Sequence, residues 1–265
     1  MQRLKPQQRL STKAGFVNHS WPNGYGQRVL QSVDSTNAEA ARIVNECAGP
    51  TWVFSHKQTA ARGRRGRKWV EPEGNFAASL LLPGLNDPAA MSLRSFVASL
   101  ALYDALRAAV GPAARLTLKW PNDVLLSGGK LAGILLESVP NALVIGIGVN
   151  LAAAPKSADV EEGAFSPVSL KTETGFDISP EEFLLLVAQA FAPWEARFRQ
   201  YGFAPVREAW LSRAAKLGET ITARTMNNET TGVFETIDAA GHLVLSTVKG
   251  RLAIPAADVF FNEGA

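Results

Sequence analysis

Apolar residues recur at helical spacing over residues 91–110 (Leu93, Phe96, Val97, Leu100, Leu106), predicting a helix that ends at Gly111-Pro112. Earlier, the N-cap residues of Asp34-Ser-Thr-Asn precede a second helical run over 38–47, stopped by Gly49-Pro50. Residues 51–57, around Trp-Val-Phe, and 76–82 read as strands. Three more strand-like runs follow the long helix, at 115–120, 130–137 and 142–149, joined by short turns containing Gly or Pro-Asn. Ser179-Pro-Glu-Glu opens a helix with a capping box and a proline at its first position, and Pro193 is expected to bend or break it. A further helix is expected over 204–215.

From Lys216 the pattern changes to short β runs at 220–225, 231–237, 243–247 and 251–254, separated by Asn-Asn-Glu, Ala-Ala-Gly and Lys-Gly turns. That texture predicts a small barrel-like module over 216–265. It follows a larger domain over 28–215 and an irregular, polar first segment over 1–27.

With 265 residues, 46% apolar and 19% charged, the chain is an ordinary soluble globular protein in composition. The first eleven residues are polar and basic, unlike a signal peptide. The apolar run at 96–110 is interrupted by Asp104 and Arg107, as in a core helix and not a membrane span. Glycosylation patterns at Asn18 and Asn228 carry no weight without secretion. One cysteine, Cys47, excludes a disulfide framework, reads as a packed residue at a helix end, and fits a cytoplasmic protein.

Charge changes the picture more. Residues 61–69 read Ala-Arg-Gly-Arg-Arg-Gly-Arg-Lys-Trp, so Arg62, Arg64, Arg65, Arg67 and Lys68 stand within seven positions with no acid among them. The formal net charge is +3, and without these five it would be −2. Basicity is concentrated in one glycine-jointed loop, which suits a compact polyanion such as nucleotide phosphates, and RNA as a rival. Nothing nearby in sequence neutralises the loop, so it is expected to be mobile when empty.

Three other segments carry candidate chemistry. Ser35-Thr36-Asn37 is a helix N-cap whose hydroxyls can also meet a ligand. Lys119-Trp-Pro-Asn122-Asp123 and Gly128-Gly129-Lys130 lie on two strands joined by a Gly-Gly hairpin. A carboxylate and an amide beside a lysine there can take Mg²⁺ and phosphate, although routine turn residues explain them too. Gly146-Ile-Gly-Val-Asn150 has glycines where a strand ends; a close-packed strand is the plain reading, and the spacing is wrong for a dinucleotide fingerprint.

In this order, Ser-Thr-Asn, Gln58-x-x-x-Arg-Gly-Arg-Arg-Gly-Arg-x-Trp69, Lys-Trp-Pro-Asn-Asp, Lys-Leu-Ala-Gly-Ile-Leu and Gly-x-Asn resemble the biotin protein ligases across residues 30–254. Ala61 departs from the family's usual glycine, a small change unless that backbone needs positive φ. The resemblance implies an α/β (α+β) catalytic domain with a mixed, largely antiparallel sheet of the class II aminoacyl-tRNA synthetase type, plus a C-terminal SH3-like β-barrel. It implies activation of biotin by ATP to biotinyl-5′-AMP, then transfer to a lysine of a biotin carboxyl carrier domain.

It also implies a biotin and adenylate site of Ser35, Thr36, Asn37, Gln58, Arg62, Gly63, Arg64 and Lys130. Nucleotide contacts are expected from Arg65, Arg67, Trp69, Asn122 and Asn150. Catalytic work is expected from Lys130, Arg64 and Asp123, with Asp123 either close to Mg²⁺ or helping to orient or deprotonate the attacking lysine. Some relatives add an N-terminal winged helix and repress transcription. Only 34 residues precede Ser35 here, without a helix-turn-helix pattern, so no specific DNA binding is expected. No membrane partner is expected, and a homodimer stays open. A lipoate–protein ligase is the rival enzyme, which the arginine loop disfavours. An Arg-Gly RNA-binding protein is the rival of another class, disfavoured by the scatter of Arg224, Lys249 and Arg251 in the terminal module.

Overall fold

The computed structural model describes residues 20–156, 165–225 and 228–261. Residues 1–19 of the irregular first segment, with the Asn18 pattern, lie outside the described residues. The larger domain runs β1 (Gly26–Leu30), α1 (Thr36–Arg42), β2 (Thr51–Ser55), β3 (Phe76–Pro83), α2 (Pro88–Val110), β4 (Leu116–Lys119), β5 (Asp123–Leu126), β6 (Gly129–Val139), β7 (Ala142–Val149), α3 (Leu170–Thr174), α4 (Pro180–Tyr201) and α5 (Phe203–Leu211). The smaller contains β8 (Thr220–Arg224), β9 (Glu229–Ile237), β10 (Leu243–Thr247), β11 (Gly250–Ile254) and β12 (Asp258–Phe261).

The first sheet has the order β1-β2-β3-β7-β6-β5-β4. Only β1 and β2 pair in parallel, so the sheet is mixed and largely antiparallel, as expected. Its two faces do different work, because side chains alternate along each strand. From β3 and β7, Phe76, Ala78, Leu80, Ile145, Ile147 and Val149 enter the main core with Val97, Leu100 and Leu102 of α2 and Val187 and Phe191 of α4. On the opposite face Val53, Leu81 and Val144 pack against Ala40 and Ile43, at α1 and its end. Apart from Leu135, the remainder of that second face around the site is small or polar (Ala77, Ser79, Gly133, Gly146, Gly148).

Several expectations are corrected. The second helical run is short: α1 ends at Arg42 and a single 3₁₀ turn, Val44–Glu46, leads to Cys47. Cys47 packs on the α1 cluster, as a structural cysteine would. The helix opened by Ser179 has its capping box and runs unbroken through Pro193 to Tyr201. Phe191 and Phe198 are buried on either side of that proline, and the buried Arg94–Glu195 pair (2.7 Å) fastens α4 to α2 two residues later, so tertiary contacts outweigh the lost backbone bond. The edge strands β1 and β12 and the short helix α3 give no pattern strong enough to predict. β1 is polar and half exposed, as an edge strand is.

The terminal strands form a five-stranded antiparallel sheet in the order β11-β10-β9-β8-β12. It is docked on the larger domain: the Trp120 indole N–H donates to the Gly241 carbonyl at 3.0 Å, beside Leu93 and Phe96 of α2. No helix among the described residues is long and apolar enough to cross a membrane.

Candidate functional site

Ser35 caps α1, its hydroxyl accepting from the Ala38 N–H at 3.5 Å. The same helix start buries Ser35, Thr36 and Asn37 against the small face of the sheet. A parallel bridge between Val33 and Gln58 brings the segment after β2 alongside. There the Gln58 amide oxygen accepts from the Thr36 N–H at 2.8 Å and from its hydroxyl at 3.1 Å. Gln58 donates its amide nitrogen to Glu71 at 2.8 Å. Burial, the larger influence, raises the Glu71 pKa, and the Gln58 bond works against it.

The polar chain continues through a residue with no motif signature. The Ser79 hydroxyl lies 2.8 Å from the Thr36 hydroxyl and 2.5 Å from the Asn37 amide oxygen. Asn37 donates to Glu137 at 2.6 Å, and the Arg62 guanidinium caps the same carboxylate at 2.9 Å. Asn37 fits here because position 146 is glycine: a β-carbon there would stand 2.2 Å from the Asn37 amide oxygen. Likewise a β-carbon at Gly148 would stand 2.7 Å from the Trp69 ring, which lies over β6 and β7. The close-packed reading of these glycines is therefore right, and what packs on them is site residues.

Asp123 and Lys130 meet across β5 and β6. Asp123 opposes Gly133 and Val124 opposes Ala132, but Leu125 opposes Lys130, so β6 bulges at Leu131. The bulge turns Lys130 onto the face of Asp123, and its ammonium lies 2.8 Å from the carboxylate. Lys119 approaches the other carboxylate oxygen at 3.5 Å from a buried position. Burial pushes the Asp123 pKa up and the lysines pull it down, leaving it below its ordinary value. Burial lowers that of Lys119, partly offset by Asp123.

Both oxygens of Asp123 face ammonium groups, and no cluster of three or more acidic, His or Cys groups able to hold a metal exists among the described residues. One carboxylate could hold Mg²⁺ only together with oxygen ligands from a nucleotide's phosphates.

Arg64 donates to Asn122 at 3.3 Å, while the Asn122 amide nitrogen holds the Ile134 carbonyl at 2.6 Å. Burial lowers the Arg64 pKa, and Asp258 and Asp123 oppose that shift. Asn150 is buried at the end of β7, donating to the Val168 carbonyl at 3.1 Å. The loop is not without counter-charges. Asp258, on β12, lies 2.8 Å from Arg65, 3.1 Å from Arg67 and 3.7 Å from Arg64, and Glu137 takes Arg62. The expectation of an unneutralised loop overlooked partners distant in sequence.

These residues surround one cavity of about 560 Å³, within the range of small-ligand sites. Ser35, Thr36, Asn37, Gln58, Arg62 and Gly63 line it with Arg64, Arg67, Trp69, Asn122, Asp123, Lys130 and Asn150. Of the expected site residues only Arg65 is not in the lining; it pairs with Asp258, which is. Ser79, Glu71, Glu137 and Asp258 were not foreseen. An acid within or at the start of an otherwise apolar strand, as Glu137 is in β6 and Asp258 is before Val-Phe-Phe in β12, is the signal that would have found two of them.

Comparison with known proteins agrees with this geometry. A profile described as the biotin/lipoate A/B protein ligase family matches residues 28–151, and one described as the biotin protein ligase C terminal domain matches residues 216–262. A biotin–[acetyl-CoA-carboxylase] ligase of Paracoccus denitrificans is 56% identical, covering 88% of this chain and 100% of that protein. The bifunctional ligase/repressor BirA of Bacillus subtilis is 32% identical, covering 87% of this chain and 71% of that protein. The biotin protein ligase of Aquifex aeolicus, solved in complex with biotin and ATP, is 27% identical with a TM-score of 0.74, covering 88% of this chain and 97% of that one.

Proposed function

The chain belongs to the biotin protein ligase family, and we propose that it activates biotin with ATP and transfers the biotinyl group to a lysine of a biotin carboxyl carrier domain. The observation that carries this reading is one cavity in which a neutral hydrogen-bonding network leads into a cationic mouth. The network, built from Ser35, Thr36, Gln58, Ser79 and Asn37, suits a neutral polar ring such as the ureido group. The small and apolar floor (Ala77, Leu135, Gly146, Gly148, Trp69) suits the thioether ring and its aliphatic tail.

In the first half-reaction a biotin carboxylate oxygen attacks the α-phosphorus of ATP. The bond to the β-phosphate oxygen breaks, and pyrophosphate leaves. Lys130 and Arg64, preorganised by Asp123 and Asn122, stabilise the charge that builds on the α-phosphate. Arg62, Arg67 and Gly63 of the loop hold the phosphates, with Trp69, Asn122 and Asn150 toward the nucleoside. In the second half-reaction the neutral amine of a carrier lysine attacks the mixed anhydride carbonyl and AMP departs. The ionised Asp123 accepts a hydrogen bond from that amine, and the proton lost as the amide forms leaves with AMP. Mg²⁺ carried by the nucleotide would supply neutralisation of phosphate charge.

The family profile also covers lipoate ligases, so the test has two arms. A purified carrier domain is incubated with this protein, MgATP and either biotin or lipoate, and its intact mass is measured. A gain of one biotinyl group, absent with lipoate, is expected. No gain with biotin overturns the reading.

A further inference from the structure

Asp258 lies 193 residues from Arg65, on the edge strand of the smaller domain, yet it gathers three guanidinium groups of the loop. Its backbone is anchored in the β8–β12 ladder opposite Arg224, and its domain is docked through Trp120 and Gly241, so the carboxylate is presented from a fixed support. Arg65 meets it from a strained position: its φ is 57°, in the left-handed region that non-glycine residues seldom occupy. Asp258 itself lines the cavity mouth, on the same side as Arg64 and Arg67. The other acid at the loop, Glu137, holds Arg62 and Asn37 together.

One carboxylate with three arginines is the arrangement a phosphate would take at the same place, since guanidinium forks bind both anions with similar geometry. We propose that Asp258 is an internal stand-in for the nucleotide's β- and γ-phosphates: it holds Arg64, Arg65 and Arg67 over the empty site, competes with the polyphosphate for them, and yields them as the nucleotide enters. This rests on the ligase reading and adds a positioning residue from the smaller domain. A free-standing loop would have to order five like charges while binding. Here the cations are already gathered, and exchanging one anion for another replaces that ordering step.

Competition and simple domain fastening predict opposite signs. If Asp258 only fastened the domains, removing its charge would loosen the loop and weaken phosphate binding. If it competes, removing its charge strengthens phosphate binding. The probe is inorganic pyrophosphate, titrated calorimetrically into the full-length protein without biotin. Asp258→Asn, nearly isosteric at a partly exposed site, is expected to bind pyrophosphate about tenfold more tightly than wild type. Asp258→Glu, which keeps the carboxylate, is expected to return toward wild-type affinity, and Asp258→Ser serves as the second neutral variant. Equal or weaker binding by the neutral variants, or no detectable binding by any protein, overturns the proposal. A wild-type protein that fails to biotinylate a carrier would remove the ligase reading separately, because pyrophosphate titration does not depend on turnover.

Discussion

The Lys130 ammonium lies 2.8 Å from the Asp123 carboxylate because β6 carries one extra residue between their strand partners. Under strict alternation Lys130 would share a face with Ala132 and Ile134 and point toward the core. The bulge at Leu131 re-aims it into the cavity, where it meets the only acid that buried Lys119 also contacts among the described ion pairs.

Lys130→Ala is therefore expected to fold normally, since the side chain is about one-third exposed and leaves Asp123 its contact with Lys119. Losing one preorganised cation at the phosphate should lower biotinyl-adenylate formation by about 10²–10³. Biotin-dependent pyrophosphate exchange measures this, and near-normal exchange by the folded variant refutes the role.

Asp123→Asn should behave differently. It leaves the buried Lys119 ammonium without its counter-charge, an effect on the order of 3–5 kcal/mol when half of a buried pair is removed. Urea denaturation should place this variant well below Lys130→Ala in stability. The Asp123 contribution in wild type follows from its depressed pKa: it is present above the unfolded carboxylate value and disappears as pH falls through the folded one. Equal stability of the two variants at neutral pH would contradict the pairing.

Glu137→Gln tests the polar chain. The carboxylate joins Asn37 of α1 to Arg62 of the loop, and an amide cannot serve both donors with the same charge. Biotin affinity should fall by about tenfold, with a smaller change in the maximal adenylation rate. Calorimetric titration with biotin decides it, and unchanged affinity would separate the loop from the biotin pocket.

Glu71 gives the opposite pH sign. Its pKa is raised, chiefly by burial, so the native state holds the proton more firmly than the unfolded chain. Stability contributed at acid pH is lost as pH rises through the unfolded and then the folded value. Glu71→Gln removes that loss while keeping an oxygen to accept from Gln58. Thermal unfolding measured from about pH 4 to 7 should show the variant gaining on wild type as pH rises. A constant difference across that range would mean that Glu71 does not titrate abnormally.

Arg64→Gly removes contacts to Asn122 and Asp258 together and adds backbone freedom beside Gly63. The expected result is faster release of biotinyl-AMP and labelling of lysines on bystander proteins, read from the adenylate dissociation rate and the mass of an added non-carrier protein. Unchanged release would assign Arg64 to adenylate formation alone.

What the amino-acid order determined by itself was local. Helical spacing in α2, the capping box at Ser179, the strand runs of β3 and β7 and the change of texture at Lys216 all arise from neighbours a few residues apart. Ser35-Thr36-Asn37, the loop after Gln58 and the block from Lys119 to Lys130 were recognisable for the same reason, since each compresses its chemistry into a short run. The tertiary structure decided which groups meet. Glu137 finds Arg62 across 75 residues and Asp258 finds Arg65 across 193, separations at which no periodicity links one position to the other. Pro193 stays within α4 because buried contacts on both sides outweigh a missing backbone bond, a balance set by packing and not by propensity. The loop that in sequence is only a run of repelling cations gains counter-charges from two distant carboxylates, because charge pairing depends on distance in space.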